Sequence, residues 1–305
     1  MRLFDLHCDT LSVCFDKSET LRHNTCHLDL KRGSSYDAWV QIFAVWISDE
    51  IRGEEAFCRC CNILEFAHKQ LLNNADLAME ITTKKSFEKA LSDRRCGVIF
   101  AVENGAAVAG KTENIHVLKE LGVKVITLTW NGENEWGNGC FSNKKTGLSS
   151  FGKQALAEME KLSVLPDVSH LNESGFWDVL EHTKAPVLAT HSASSAVKRH
   201  PRNLTDAQFA ALCERGGLVG LTICADHLGE QSFERLEQHL YHFWELGGEN
   251  VVSLGADLDG TAVRRDWNGV GYASLFGEYL SRKNYSERTL SRLFFENAYD
   301  FFKHT

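Results

Sequence analysis

The sequence predicts an α/β protein, a single (β/α)8 barrel of the TIM type that takes up residues 1–305 as one domain. Short apolar segments alternate with amphipathic helical stretches along the whole chain, which is the pattern of repeated β/α units. The apolar segments are nearly continuous in hydrophobic residues, as expected of parallel strands covered on both faces. Polar residues suited to chemistry recur where these segments end, and barrels of this kind carry their functional residues there.

The predicted strands are spaced so that a helix fits between most neighbours. They are Leu3–Leu6, Val40–Trp46, Gly97–Val102, Lys124–Thr129, Ser163–Val168, Pro186–Thr190, Gly217–Thr222 and Val251–Gly255. A doubly wound open sheet is the alternative architecture. We disfavour it because no Gly-rich phosphate-binding loop follows the first strand.

Three of the intervening helices carry clear signals in the sequence. Residues Glu54–Asn74 repeat apolar side chains at helical spacing. Asn114 is expected to cap a helix that Gly122 terminates, and Ser286 is expected to cap the last helix of the chain.

The composition limits the partners that the protein can have. Hydrophobic residues make up 43% of the 305 positions, and the three prolines and the absence of a Gly- or Ser-rich tract leave no obvious linker. The chain carries 33 basic and 41 acidic residues, a net charge of −8, without a basic block. Nucleic acids and anionic membranes are therefore not expected as partners.

The cellular location is predicted from the cysteines and from the lack of a targeting pattern. Met1 and Arg2 lead directly into the first predicted strand, and no apolar run has the length of a membrane span. Ten cysteines without regular spacing indicate reduced thiols. We therefore expect a cytoplasmic protein that does not associate with membranes, and we leave open whether it forms a homodimer.

Metal-binding residue types cluster at the ends of the predicted strands. His7 and Asp9 close the first strand, and the two-residue period of a strand directs both side chains to one face. Four similar residues follow later strands: Glu103, His170, His191 and Asp257. Three histidines and three carboxylates at one barrel mouth match the ligand set of a two-metal hydrolase in which one carboxylate bridges the ions.

Longer motifs surround these residues. They are Asp5-Leu6-His7-Cys8-Asp9, Val102-Glu103-Asn104-Gly105, Leu121-Gly122 with Thr127-Leu128-Thr129, Gly147-Leu148-Ser149 with Phe151-Gly152, Asp167-Val168-Ser169-His170, His191-Ser192, Arg202-Asn203 with Asp206, and Gly255-Ala256-Asp257-Leu258-Asp259-Gly260. In combination they resemble the membrane (renal-type) dipeptidases, peptidase family M19, from Asp5 to the final helix. The resemblance implies a distorted (β/α)8 barrel of the amidohydrolase-like, metal-dependent type with two zinc ions.

The resemblance also implies a role for each metal-binding position. His7 and Asp9 would bind one zinc ion, His170 and His191 would bind the other, and Glu103 would bridge the two. The implied activity is zinc-dependent hydrolysis of the peptide bond of dipeptides, L,D-dipeptides included, by a hydroxide that bridges the metals. Zinc ions suit this reaction because they lower the pKa of bound water, which makes hydroxide available near neutral pH.

The resemblance assigns the substrate contacts to two further positions. Asp257 would lie beside the reacting water and the substrate's amine, where it can accept a proton and pass it to the leaving amine. Arg202 would hold the substrate's carboxylate, which its planar guanidinium can bind with two parallel hydrogen bonds. Without the resemblance, Arg202 would be interpreted as a surface arginine.

The sequence departs from the mammalian-type relatives at two positions. Trp130 stands where those relatives carry a histidine after the fourth strand, and an indole offers only one N–H donor. His227 lies near the position of a tyrosine in those relatives; it is a candidate for the same polar contact with substrate, or for a cap of a loop. Trp130 and His227 are therefore further candidates for substrate binding in a bacterial-type member of the family.

Two other functions remain open from the sequence. A different amide or lactone hydrolase could use the same pair of metals, because barrels support many chemistries. In that case a substrate without a carboxylate would be insensitive to the loss of Arg202. A non-catalytic binding protein is the third reading, and the full set of five metal ligands plus Asp257 argues against it.

Overall fold

The computed structural model describes residues 1–303, and within them the β-strands form one parallel sheet. The strands are β1 (Arg2–Cys8), β2 (Ala38–Trp46), β3 (Ala78–Glu80), β4 (Cys96–Glu103), β5 (Val123–Thr127), β6 (Leu165–Asp167), β7 (Leu188–Ser192), β8 (Leu218–Leu221) and β9 (Val252–Leu254).

Eight of these strands close into a barrel in the order β1-β2-β4-β5-β6-β7-β8-β9, and β9 pairs back to β1. Each corresponds to one of the predicted strands, so the predicted (β/α)8 fold is confirmed. β3 was not among the predicted strands; it pairs with the amino-terminal part of β4 outside the barrel ring. Three residues are too few to show a periodic pattern.

The helices surround the barrel. They are α1 (Thr10–Lys17), α2 (Leu30–Gly33), α3 (Gly53–Asn73), α4 (Lys84–Ser92), α5 (Glu113–Glu120), α6 (Ser150–Leu162), α7 (Glu173–His182), α8 (Asp206–Glu214), α9 (Ala225–Leu228), α10 (Phe233–Glu245), α11 (Tyr272–Arg282), α12 (Glu287–Ser291) and α13 (Asn297–Phe302). A π-helical turn, Arg292–Glu296, joins the last two. Among residues 1–303, no helix has both the length and the hydropathy needed to cross a lipid bilayer.

The predicted helix signals are correct at three points and wrong at one. The helix predicted at 54–74 is α3, and the Ser286 side chain caps α12 by accepting a hydrogen bond from Thr289 N. Gly122 ends α5 with φ +85°, a left-handed conformation that glycine adopts readily. The Asn114 prediction is wrong: α5 begins at Glu113, and the Asn114 side chain donates to Val108 O instead.

Side-chain alternation along the strands decides what faces the barrel interior. Ile99 and Ala101 of β4 belong to a buried cluster inside the barrel, together with residues of the neighbouring strands. The next inward position on β4, two residues on, is Glu103. The same period places Thr127 of β5 and Asp167 of β6 beside it, because Glu103, Thr127 and Asp167 are paired in register. The apolar interior therefore gives way to polar residues at the carboxyl ends of the strands.

Candidate metal centre

The structure brings the six predicted strand-end residues together at the carboxyl end of the barrel. His7, Glu103 and His191 lie within the last residues of β1, β4 and β7. His170 and Asp257 each follow a strand by three residues, and Asp9 immediately follows β1. Their side-chain ligand atoms form three overlapping buried groups that can each hold a metal ion: His7, Asp9 and Glu103; Glu103, His170 and His191; and His7, His191 and Asp257.

A local irregularity turns His7 toward this site. The pairing of β1 with β2 shifts register between Asp5 and Cys8, so the strict alternation of the strand is broken there. The buried Asp5 carboxylate accepts hydrogen bonds from His7 N and from the Tyr272 hydroxyl. These bonds hold the strand in the shape that presents His7 to the barrel mouth.

Glu103 occupies the centre of the cluster, with its two carboxylate oxygens facing different histidines. Oε1 lies 2.8 Å from His170 Nε2 and 3.5 Å from His191 Nε2. Oε2 lies 3.6 Å from His7 Nε2, and the Asp9 carboxylate lies 3.9 Å from the same nitrogen. This division of its oxygens is the geometry that a bridging carboxylate requires.

The donor set of the cluster fits divalent metal ions. His170 Nδ1 lies 3.0 Å from Asn131 Oδ1, which accepts its hydrogen, so the neutral ring presents a lone pair at Nε2. That lone pair faces His191 Nε2 at 2.9 Å and a carboxylate oxygen of Glu103. Within the described residues, His7 Nε2 and Asp9 Oδ1 are buried without a hydrogen-bond partner. Nitrogen and carboxylate oxygen atoms of this kind are the ligands that zinc takes in proteins.

Burial moves the pKa values of the cluster in the directions expected when charge is removed from water. It raises the pKa of Glu103 to about 8, and burial with the charge of Glu103 raises the pKa of Asp9 well above its usual range. Burial and the neighbouring Asp9 do the same to the pKa of Asp257. The pKa values of His170 and His191 fall well below the usual range, mainly through burial. A bound cation would favour both the charged carboxylates and the neutral imidazoles.

Backbone strain is concentrated around the same site. His170, Asp257 and Asp259 have φ values of 68°, 64° and 70°, in the left-handed region that residues with a Cβ rarely adopt. Such conformations cost free energy and persist where surrounding contacts impose them, frequently at functional sites. Here they direct the side chains after β6 and β9 back over the barrel mouth.

A cavity of about 360 Å³ opens above the cluster, and the predicted substrate-binding residues Arg202, His227 and Trp130 all line it. Arg202 is 4% exposed and donates from Nη2 to His191 O at 3.1 Å. Its Nε has no partner in the part of the chain that the structure describes. A wider groove of about 860 Å³, lined by Arg2 and Leu290 among others, lies at the opposite end of the strands and contains none of these residues.

His227 and Trp130 both line the cavity wall but differ in burial. His227 is buried in α9, and its Nδ1 lacks a hydrogen-bond partner among residues 1–303. Burial and the Arg202 charge lower the pKa of His227 to about 2, so the ring is neutral. Trp130 is half-buried, with its ring edge-on to Trp46 at 5.1 Å and 6.3 Å from the His170 ring.

Several site residues escaped the sequence analysis. Thr190 and Asp167 lie beneath the histidines, whereas Trp46 and Phe141 line the cavity. Asn131, which lies in the long segment between β5 and α6, was not predicted as a site residue either. An available signal for Asp167 and Thr190 was their position two residues after the inward-facing Leu165 and Leu188.

The segment between β5 and α6 forms one side of the cavity rim. Trp136 anchors it: the ring is fully buried, and its Nε1 donates to Gly105 O at 2.8 Å. Cys140 N donates to His170 O at 2.7 Å, which ties the segment to the strained residue of the metal cluster. The rim therefore positions both Asn131 and His170 for the contact between them.

A (β/α)8 barrel with buried histidines and carboxylates at the carboxyl ends of its strands defines a class, the metal-dependent hydrolases of the barrel type. The model of the membrane dipeptidase family, peptidase family M19, matches residues 1–305. The chain therefore belongs to this family of metallopeptidases and is a dipeptidase of family M19.

Solved structures and a curated relative agree with this assignment. The crystal structure of a family M19 metallopeptidase named dipeptidase AC has a TM-score of 0.92 and 26% identity, and the match covers 98% of this chain and 97% of that one. A metallopeptidase from Rhodobacter sphaeroides, liganded with a phosphinate mimic of the dipeptide L-Ala-D-Ala, has a TM-score of 0.92 and 25% identity over 100% and 99% of the two chains. An uncharacterized dipeptidase of Schizosaccharomyces pombe is 27% identical over 77% of this chain and 61% of its own length.

Proposed function

We propose that this chain is a zinc-dependent dipeptidase with two zinc ions, one held by His7 and Asp9 and the other by His170 and His191. Glu103 bridges them in this proposal. The observation that carries it is the division of the Glu103 oxygens between histidines on opposite sides of the carboxylate. Three mutually overlapping groups of buried ligands support two ions rather than one.

The chemistry follows from the residues around the ligands. When bound, the metals would polarise the peptide carbonyl and lower the pKa of a nearby water so that hydroxide is available near neutral pH. Asp257 is grouped with His7 and His191, so it can take the proton of that water and return it to the departing amine.

Substrate recognition is proposed to depend on Arg202. Its guanidinium is buried beside the metal ligand His191 and has an N–H free of protein partners among the described residues. A free C-terminal carboxylate of a dipeptide would satisfy that donor and neutralise the buried charge. His227 and Trp130 would contact the remainder of the dipeptide from the cavity wall.

The proposed substrates include dipeptides with a D-residue at the C-terminal position. Support comes from the relative of known structure that binds a phosphinate mimic of L-Ala-D-Ala, which shares the fold along its whole length. The cavity of about 360 Å³ is of the size that holds a small ligand. We further propose that residues 1–305 act as one catalytic domain in a reducing, cytosolic environment, consistent with ten free cysteines.

A panel of L,L- and L,D-dipeptides tests the proposal directly. Each would be assayed with zinc present, after removal of metal by a chelator, and after zinc is restored. We expect hydrolysis that disappears with the metal and returns with it. Hydrolysis of N-acyl amides or lactones in preference to every dipeptide would instead favour the alternative function on the same metal frame.

A further inference from the structure

We propose that Thr190, held by Asp167, is a positioning residue that imposes one tautomer on both His7 and His191 and thereby couples the two metal sites. The inference rests on the proposed binuclear function. It concerns residues that are buried beneath the cluster and are not themselves metal ligands.

The Thr190 hydroxyl lies at a junction between three side chains. Thr190 is on β7, 1% exposed, and its Oγ1 lies 2.6 Å from Asp167 Oδ2. The same oxygen lies 3.0 Å from His191 Nδ1 and 3.3 Å from His7 Nδ1. The Ser169 hydroxyl is farther away, at 3.4 Å. One hydroxyl therefore contacts a histidine from each proposed metal site.

The arrangement of donors and acceptors determines where the hydrogens lie. A hydroxyl has one hydrogen and two lone pairs, whereas a carboxylate only accepts. The short bond to Asp167 uses the single hydrogen of Thr190, so Thr190 can only accept from the two imidazoles. Both His7 and His191 must then carry their hydrogen on Nδ1, and both present the lone pair of Nε2 to the cluster.

Asp167 is fixed in its role as the acceptor. Its Oδ1 accepts from Ser169 N and from Thr190 N, each at 3.0 Å. Its Oδ2 accepts from the Thr127 hydroxyl at 2.6 Å as well as from that of Thr190. Four donors around one buried carboxylate leave it no room to rotate, so the direction of the Thr190 hydrogen is determined.

This arrangement directs both lone pairs at the bridging carboxylate. His7 Nε2 lies 3.6 Å from Glu103 Oε2, and His191 Nε2 lies 3.5 Å from Glu103 Oε1. A hydrogen bond from the ring nitrogen that does not bind the metal fixes the orientation of a metal-binding histidine and raises its basicity. Because one hydroxyl supports a ligand of each ion, its loss should weaken both ions together.

The test compares three variants by zinc competition against a chromophoric chelator and by thermal unfolding without metal. Thr190→Val removes the hydroxyl and keeps the shape, Thr190→Ser restores the hydroxyl, and Thr127→Val removes a bond to the same Asp167 oxygen without touching a histidine. We expect Thr190→Val to weaken binding of both zinc ions by about 10- to 100-fold. Thr190→Ser should restore most of that affinity, and Thr127→Val should retain most of it.

A second measurement does not depend on bound metal. In metal-free protein labelled with 15N-histidine, long-range proton–nitrogen spectra report which ring nitrogen carries the hydrogen. We expect two of the 13 histidines to lose a uniform Nδ1–H state in Thr190→Val and to regain it in Thr190→Ser.

Three outcomes would overturn the inference. Thr190→Val could leave the affinity for both zinc ions unchanged, or Thr190→Ser or Thr127→Val could lose as much zinc affinity as Thr190→Val does. Failure of the proposed function is recognised separately. In that case the unmodified protein would bind no zinc or cleave no dipeptide, while the histidine spectra would still report the effect of Thr190.

Discussion

Asp257 and Asp259 share a left-handed backbone conformation, with φ values of 64° and 70°, yet their carboxylates lie in different surroundings. Asp259 accepts hydrogen bonds from the Thr10 hydroxyl at 2.6 Å and from His27 N at 2.7 Å, so it ties the segment after β9 to the start of α1 and to the segment that contains His27. Asp257 is instead grouped with metal-ligand histidines. The two aspartates are therefore expected to respond differently to the same substitution.

Replacing Asp257 by Asn should remove the proton acceptor with little change in shape. We expect kcat for dipeptide hydrolysis to fall roughly 10²-fold or more while most of the zinc stays bound. Asp259→Asn should reduce kcat less and should instead lower the unfolding temperature, because it weakens the hydrogen bonds to Thr10 and His27. If Asp259→Asn abolished turnover and Asp257→Asn did not, the proton would have to travel by another route.

Replacing Arg202 by Ala should selectively weaken the binding of substrates with a free carboxylate. We expect a loss on the order of a hundredfold in kcat/KM for free dipeptides, since a buried charge-assisted pair is broken. For dipeptide amides, which have no free carboxylate, Arg202→Ala should lower kcat/KM only slightly. Arg199→Ala, at an exposed arginine nearby, serves as the control and should leave both substrates unaffected. Equal losses for acids and amides would indicate that Arg202 is structural.

Gly260 contacts two site carboxylates at once. A Cβ added there would collide with oxygens of both Asp9 and Asp257. We therefore expect Gly260→Ala to weaken zinc binding by roughly tenfold or more and to lower kcat, as ligands are displaced. Gly271→Ala is the matched control, because its Cβ would meet no atom closer than 3.6 Å. If Gly260→Ala kept its zinc affinity, the loop would have to move and accommodate the added Cβ without displacing Asp9 and Asp257.

Glu103 should make the metal-free protein less stable as pH rises from about 4.5 to about 8. Its pKa rises from an ordinary value of 4.5 to about 8 on burial, so the folded state holds a proton that the unfolded state releases across this range. That contribution to stability is full below pH 4.5 and is lost as pH rises through 8. Glu103→Gln should therefore raise the unfolding temperature of metal-free protein at pH 8 by a few degrees, and the gain should vanish near pH 5.

Calorimetry of both metal-free proteins between pH 5 and pH 8 checks this prediction. Comparison with the unmodified chain at each pH removes the opposite contribution of the buried histidines, whose lowered pKa values weaken the fold as pH falls. A difference between the two proteins that does not change with pH would contradict the protonated state of Glu103.

The barrel was predictable from sequence because hydrophobic continuity is a local property of each strand. β3 was not predictable in this way, because it has only three residues. The cap predicted at Asn114 is wrong, because the Asn114 side chain donates to Val108 O instead of capping α5. Local patterns could not reveal that bond, because it depends on how the preceding turn folds.

The predicted ligand positions converge in space because motifs at strand ends must meet at a barrel mouth. Their supporting contacts were not predictable in the same way. Thr190 and His7 are 183 residues apart in the chain, yet their side chains lie 3.3 Å from each other. Asn131 reaches His170 only because the rim segment is anchored at Trp136. Such contacts depend on register between distant strands, which one sequence alone does not specify.

The most direct test of the account is a zinc titration of chelator-treated protein, followed by hydrolysis of L-Ala-D-Ala and by elemental analysis. We expect no hydrolysis without metal, a plateau at about two zinc ions per chain, and reduced occupancy of both sites in Glu103→Gln. The account would be contradicted by full activity without metal, by a plateau at one ion, or by Glu103→Gln that keeps both ions at full occupancy.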